Sequence, residues 1–169
     1  EMPKPPFTFT LLDSPVVNAF ALPGGYVYIS RGLMALANDE AELAGVVAHE
    51  IGHVTARHSA ERVSRGMLAN LGATILGVVV GEPLLNNAAQ LAAGAYIQSY
   101  SRDQEFEADQ LGVRYLTRSG FDPMAMSSFL GTLGAEHQLA LKVAGKEGRD
   151  PAAGLFSSHP RTADRVVQA

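Results

Sequence analysis

From Leu43 to Val54 the chain reads Leu-Ala-Gly-Val-Val-Ala-His-Glu-Ile-Gly-His-Val, and every residue except His49, Glu50 and His53 is apolar or glycine. A helix that is apolar all round is buried. Such a helix carries three titratable groups into the interior. Residues four apart share one helix face, so His49 and His53 can converge on a single cation. Glu50 lies beside them, where it can hold and deprotonate a polarised water. A buried carboxylate next to two imidazoles is costly unless something compensates it, and a divalent cation with its water does so. The pattern points to a Zn2+ ligand pair with a general base. The competing explanation is a core helix whose two His and one Glu have ordinary protein partners.

The chain has 169 residues and reads as one domain, 1–169. It contains no Cys, which excludes disulfides, thiol nucleophiles and Cys-ligated metals. Thirteen Lys+Arg against seventeen Asp+Glu give a net charge of −4, which excludes a broad basic footprint for nucleic acid. With 47% hydrophobic and 18% charged residues it is too apolar to be disordered. It opens Glu1-Met2-Pro3 with no hydrophobic leader and reads as a processed product whose signal segment lies outside it.

Phe7 to Leu12, Val16 to Leu22 and Gly25 to Ile29 read as short strands separated by Asp13-Ser14-Pro15 and Pro23-Gly24-Gly25. They predict a small N-terminal antiparallel sheet over 7–30. Asn38-Asp39 followed by Glu42 resembles a capping box opening the active-site helix, 39–58. Residues 66–100 read as a helical hairpin broken near Gly81-Glu82-Pro83. A spanning helix needs about 20 apolar residues, and this stretch is interrupted by Asn70, Thr74, Asn86, Asn87, Gln90 and Gln98. The hairpin is therefore a candidate contact with a membrane surface or an envelope complex, and not a span. A further helix covers 101–118 and stops at Ser119-Gly120; Asp122-Pro123 opens another. Ser158-His159-Pro160 opens a terminal helix, 158–169. The fold class is α+β, mostly helical.

A catalytic metal site needs a third protein ligand and one open position. His58 is one place out of register for a ligand appended to the same helix. If that helix continues, His58 points away from the pair as a capping or surface residue. Glu61, Glu82, Glu105, Glu107, Asp109, Glu136, His137 and His159 are the candidates. On the helix after Ser101, one stripe carries Glu105, Ala108, Asp109, Gly112, Val113 and Leu116, while Asp103, Glu107, Gln110, Arg114 and Arg118 fall opposite. Two inward carboxylates beside small residues suggest a close helix–helix approach at a charged partner. Glu105 is assigned as third ligand and Asp109, one turn on, as acceptor for a ligand imidazole N–H. The alternative for this pair is a salt bridge to Arg31, Arg57 or Arg62.

Several spaced motifs resemble one known family. Asn18 to Gly25, Ile29 to Leu33, His49 to His58, Ser101-Arg102 with Glu105 to Asp109 and Gly112, and His159-Pro160 with Thr162 and Arg165 are similar to segments of the HtpX/BepA-like and CAAX-prenyl-endopeptidase-like gluzincins, family forty-eight of the metallopeptidases. The resemblance covers most of the chain. It implies a zincin-like domain and one Zn2+ held by His49, His53 and Glu105. Glu50 would be the base, with Asp109 behind the ligands. It also implies a place in the periplasm or cell envelope, in the branch without spanning helices, and a role in protein quality control.

The expected activity is hydrolysis of peptide bonds in extended, unfolded or misassembled protein clients. The client would pair with the edge strand at Asn18, Ala19, Phe20 and Ala21. His159 and Arg165 are candidate oxyanion donors, and His159 is alternatively a latch on the open metal position. The competing function is a latent or non-proteolytic zinc-containing module that binds peptides as a chaperone does.

Overall fold

A computed structural model describes residues 6–80, 99–143, 145 and 159, with the side chains of 69, 70 and 72–80 excepted. Three strands come first: β1 (Thr8–Leu12), β2 (Ala19–Leu22) and β3 (Tyr26–Ser30). Five helices follow among the described residues: α1 (Arg31–Leu36), α2 (Glu40–Thr55), α3 (His58–Val80), α4 (Arg102–Ser119) and α5 (Met124–Val143). The arrangement is α+β, as expected.

The sheet differs from the expected antiparallel meander. Its order is β1-β3-β2; β2 pairs antiparallel with β3, but β1 pairs parallel to it. The cause lies in residues 13–18, which cross the end of β3 instead of turning back. Gly32 N–H donates to Ser14 O at 3.1 Å and Ser30 N–H to Asn18 O at 2.9 Å. Ser30 Oγ accepts from Asn18 N–H at 3.0 Å and from Leu33 N–H at 3.1 Å, so it ties the crossing to the start of α1. A Cβ on Gly32 would overlap the Pro15 carbonyl, so glycine is what lets the chain pass there.

Helix α2 is the axis of the domain, with no exposed residue from Ala41 to Val54. Its N-terminus matches the capping expectation. Asp39 Oδ1 accepts from Glu42 N–H at 2.8 Å, and Glu42 Oε2 accepts from Asn38 N–H at 2.9 Å. Ser128 Oγ donates to the other Glu42 oxygen at 2.6 Å, pinning α5 to this end. On one side α2 packs into a core of Ala19, Leu33, Val46, Phe129 and Leu133; on the other, Ala48 joins Leu116 and Met126.

Helix α4 runs close along α2. A Cβ on Gly52 would sit 2.8 Å from Ala108 O, and one on Gly112 would sit 3.2 Å from His49 N. The small residues therefore permit the close approach expected of them. Ser101 and Gln104 form a capping box, and Gly120 ends α4 in a left-handed conformation with φ 81°.

The expected single helix over 39–58 is in fact two. Helix α2 stops at Thr55, Arg57 takes φ 63°, and α3 begins at His58 and runs unbroken through Gly66 to Val80. The expected hairpin break near Gly81 and its second helix, the terminal helix beyond His159, and Arg165 lie outside the described residues. Among the described residues no helix is long and apolar enough to cross a membrane.

Candidate metal centre

His49 and His53 project from one face of α2, and their Nε2 atoms lie 3.0 Å apart. Glu105 reaches them from α4 and is 1% exposed. Its Oε1 is 3.3 Å from His53 Nε2, and its Oε2 is 3.7 Å from His49 Nε2. His159 closes the group: its Nδ1 is 3.2 Å from His49 Nε2 and 2.9 Å from Glu105 Oε1. One ligand-type atom from each of these four buried residues falls within 4.8 Å of all the others.

Those separations test whether a metal fits. A tetrahedral Zn2+ with bonds of about 2.0–2.2 Å has ligand atoms about 3.3–3.6 Å apart. The observed spacings of 2.9–3.7 Å bracket that value. Two imidazoles and a carboxylate are also a donor set that zinc accepts. The residues present fit the ion.

The surroundings of His53 and Glu105 shift both groups in the direction a metal needs. Desolvation pulls His53 well below the usual imidazole range against the opposing bond to Glu105, which favours the neutral ring with a free lone pair. For Glu105, burial pushes the other way, but it is outweighed by His159, His53 and His49, which hold the carboxyl well below its usual range. His49 Nδ1, the nitrogen turned away from the cluster, lies 2.8 Å from Asp109 Oδ1. Of the expected stripe, Glu105, Ala108, Asp109, Gly112 and Leu116 are buried and Val113 is half-buried, while Asp103, Glu107, Gln110, Arg114 and Arg118 are exposed, as the periodicity indicates. The arginines proposed as alternative partners are engaged elsewhere in two cases: Arg31 pairs with Asp13, and Arg62 lies 4.3 Å over the Tyr100 ring.

Glu50 is fully buried. Among the described residues neither of its oxygens has a hydrogen-bond partner, although Oε1 comes within 3.3 Å of His159 Nε2. A structural carboxylate in a core is normally satisfied by donors.

Strand β2 lies at one edge of the sheet, beside α2 and α3. Asn18 C=O bonds toward β3, so the alternation of an antiparallel pair turns the backbone groups of Ala19 and Ala21 to the free edge and those of Phe20 inward. Ala21 O on that edge already accepts from Ser59 Oγ at 3.2 Å.

His58 departs from its expected place. A continuous helix would carry residue 58 about 140° around from residue 53. The break at Arg57 folds it back instead. His58 is 3% exposed, and its Nδ1 lies 3.0 Å from His53 Nδ1. Tyr100, which the sequence reading missed, stacks on His53 at 3.8 Å between ring centres and shares a 2.9 Å hydrogen bond with Ser59 Oγ. The one available signal was an aromatic residue immediately before the Ser101 cap of the helix that carries Glu105.

Comparison with known proteins agrees with this geometry. The family model described as peptidase family M48 matches residues 1–169. A putative beta-barrel assembly-enhancing protease of Vibrio cholerae is 36% identical over 98% of this chain and 34% of its own length. The beta-barrel assembly-enhancing protease of Escherichia coli K12 is 35% identical over the same shares. The mitochondrial metalloendopeptidase OMA1 of Arabidopsis thaliana is 32% identical over 89% of this chain and 28% of its own length. The chain thus spans about a third of the length of the curated relatives it matches. On the full-length family match and the helix-borne His/Glu cluster together, this chain belongs to peptidase family M48, and it is a metallopeptidase domain.

Proposed function

We propose that the domain is a zinc-dependent endopeptidase acting on extended segments of unfolded or misassembled proteins. Zinc would be held by His49, His53 and Glu105, with Asp109 accepting the His49 Nδ1 proton. When bound, it supplies a Lewis acid that polarises a carbonyl and acidifies water. Glu50 takes a proton from the attacking water and returns it to the leaving amine. The client lies along β2 and pairs with the outward backbone groups of Ala19 and the Ala21 N–H, which reads backbone more than side chains. Asn18 and Phe20 hold that strand to β3 and set its register. The relatives named for beta-barrel assembly favour a bacterial envelope setting and clients stalled during assembly there, with further contacts supplied by the 66–100 segment.

The observation that carries this reading is the fully buried Glu50 carboxylate, without hydrogen-bond partners among the described residues, beside four buried ligand-type atoms within 4.8 Å of one another. Glu50→Gln tests it. The variant should bind zinc and keep its fold while cleavage of unfolded casein falls about 10²–10⁴-fold or more. Full cleavage by that variant ends the mechanism, and a wild-type protein that binds casein without cutting it favours the chaperone-like alternative.

One observation favours a second state of the same site. His159 sits beside His49, His53 and Glu105, so with it in place these four side chains would hold a bound ion and leave no position open. This is the arrangement of a latched enzyme that opens when a client or partner draws His159 away. Alternatively His159, together with Arg165, donates to the oxyanion once displaced. His159→Ala separates the two: casein cleavage speeds up if His159 is mainly a latch and slows if it is mainly an oxyanion donor.

A further inference from the structure

We propose that His58 and Glu107 form a hydrogen-bonded relay that selects the tautomer and fixes the ring orientation of His53, which makes both of them positioning residues of the metal centre. The inference rests on the reading of His53 as a ligand through Nε2. Three nitrogens and one oxygen carry it. His53 Nδ1 lies 3.0 Å from His58 Nδ1, and His58 Nε2 lies 3.3 Å from Glu107 Oε2. Both rings are buried, at 0% and 3% exposure, while the Glu107 side chain is 61% exposed.

The proton positions follow from one requirement. A ligating Nε2 must offer its lone pair, so the His53 proton sits on Nδ1. Nδ1–H then donates to His58 Nδ1, which must be the bare nitrogen of that ring. His58 in turn carries its proton on Nε2 and donates it to the Glu107 carboxylate. Each link has one donor and one acceptor, and reversing any link reverses all of them. Stacking on Tyr100 fixes the plane of the His53 ring but does not choose between its nitrogens. The relay makes that choice. Acceptors behind a metal-bound imidazole set its orientation and raise its basicity, and their loss typically weakens metal binding about 10–100-fold.

The geometry depends on the chain break. Arg57 in the left-handed region ends α2 and starts α3 with His58 turned back onto His53. Glu107 comes from the outward side of α4, opposite the stripe that bears Glu105 and Asp109. The exposed carboxylate on α4 thereby has a use that its helix position does not disclose.

The test measures zinc affinity of the full chain by competition with a chelator, without reference to activity. His58→Leu, which cannot accept from His53, should weaken zinc binding about 10–100-fold. His58→Gln offers an amide oxygen and should stay within about threefold of wild type. A folded His58→Leu protein with unchanged affinity overturns the relay. A second measurement covers the case in which that variant fails to fold. Long-range proton–nitrogen spectra of the zinc-loaded wild type should place protons on His53 Nδ1 and His58 Nε2, and a proton on His58 Nδ1 overturns the proposal. His53→Ala distinguishes this failure from failure of the site: normal zinc binding in that variant removes His53 as a ligand, whereas lost binding leaves the site standing and isolates the relay.

Discussion

His49 and His53 sit one turn apart on α2, yet the protein supports them by different means. Behind His49 stands Asp109, a single buried carboxylate 2.8 Å away on the helix that also bears Glu105. That side is built from one closely packed helix pair, held by Gly52 against Ala108 and Gly112 against the His49 backbone. Behind His53 stand groups from three places: His58 at the start of α3, Tyr100 just before α4, and Glu107 on the outer face of α4. The first support is short, buried and confined to two regular helices. The second is assembled across a chain break and ends at the surface. Helix packing alone can align a direct partner, but it cannot bring a residue five positions along the same helix back onto its neighbour.

The sharpest test of that difference removes both supports together. Asp109→Ala should weaken zinc binding about 10–100-fold. If the two sides are independent, adding His58→Leu multiplies the losses, to about 10²–10⁴-fold in a chelator competition. A double variant no weaker than Asp109→Ala alone would show that the two imidazoles are held as one unit, and the contrast between them would dissolve. A smaller effect is expected from the helix contact itself. Gly52→Ala places a Cβ against the Ala108 backbone oxygen, which cannot swing aside as a side chain can. The variant should lose about 1–3 kcal/mol of stability in urea unfolding, and the Glu105 and Asp109 side should loosen first. An unchanged midpoint would mean that the helix pair has slack and that the His49 side is no more rigid than the His53 side.

How far the sequence could be read follows the same division. The burial of α2 was evident from a run of apolar residues broken only by His49, Glu50 and His53. The inward stripe of α4 was evident from a 3.6-residue repeat that sorts Glu105 and Asp109 from Glu107. The cap at Asp39 and the stop at Gly120 were evident because capping chemistry is local; the Ser101–Gln104 capping box was not read. The parallel pairing of β1 with β3 was not, because it depends on the Gly32 approach to Pro15 and on Ser30 binding Asn18 twelve residues away. His58 was misplaced because one left-handed residue, Arg57, changes the direction of everything after it, and arginine carries no signal for that conformation.

The amino-acid order by itself therefore determined that His49, His53, Glu105 and Asp109 face inward on their helices, and the family to which the domain belongs. These depend on spacing within single helices, where the backbone repeat fixes geometry. Only the tertiary structure decided how β1 joins the sheet, that His159 stands beside His49, His53 and Glu105, and that His58, Tyr100 and Ser59 gather behind His53 and the β2 edge. Those contacts join residues far apart in the chain or across a break, and their geometry is set by packing between elements.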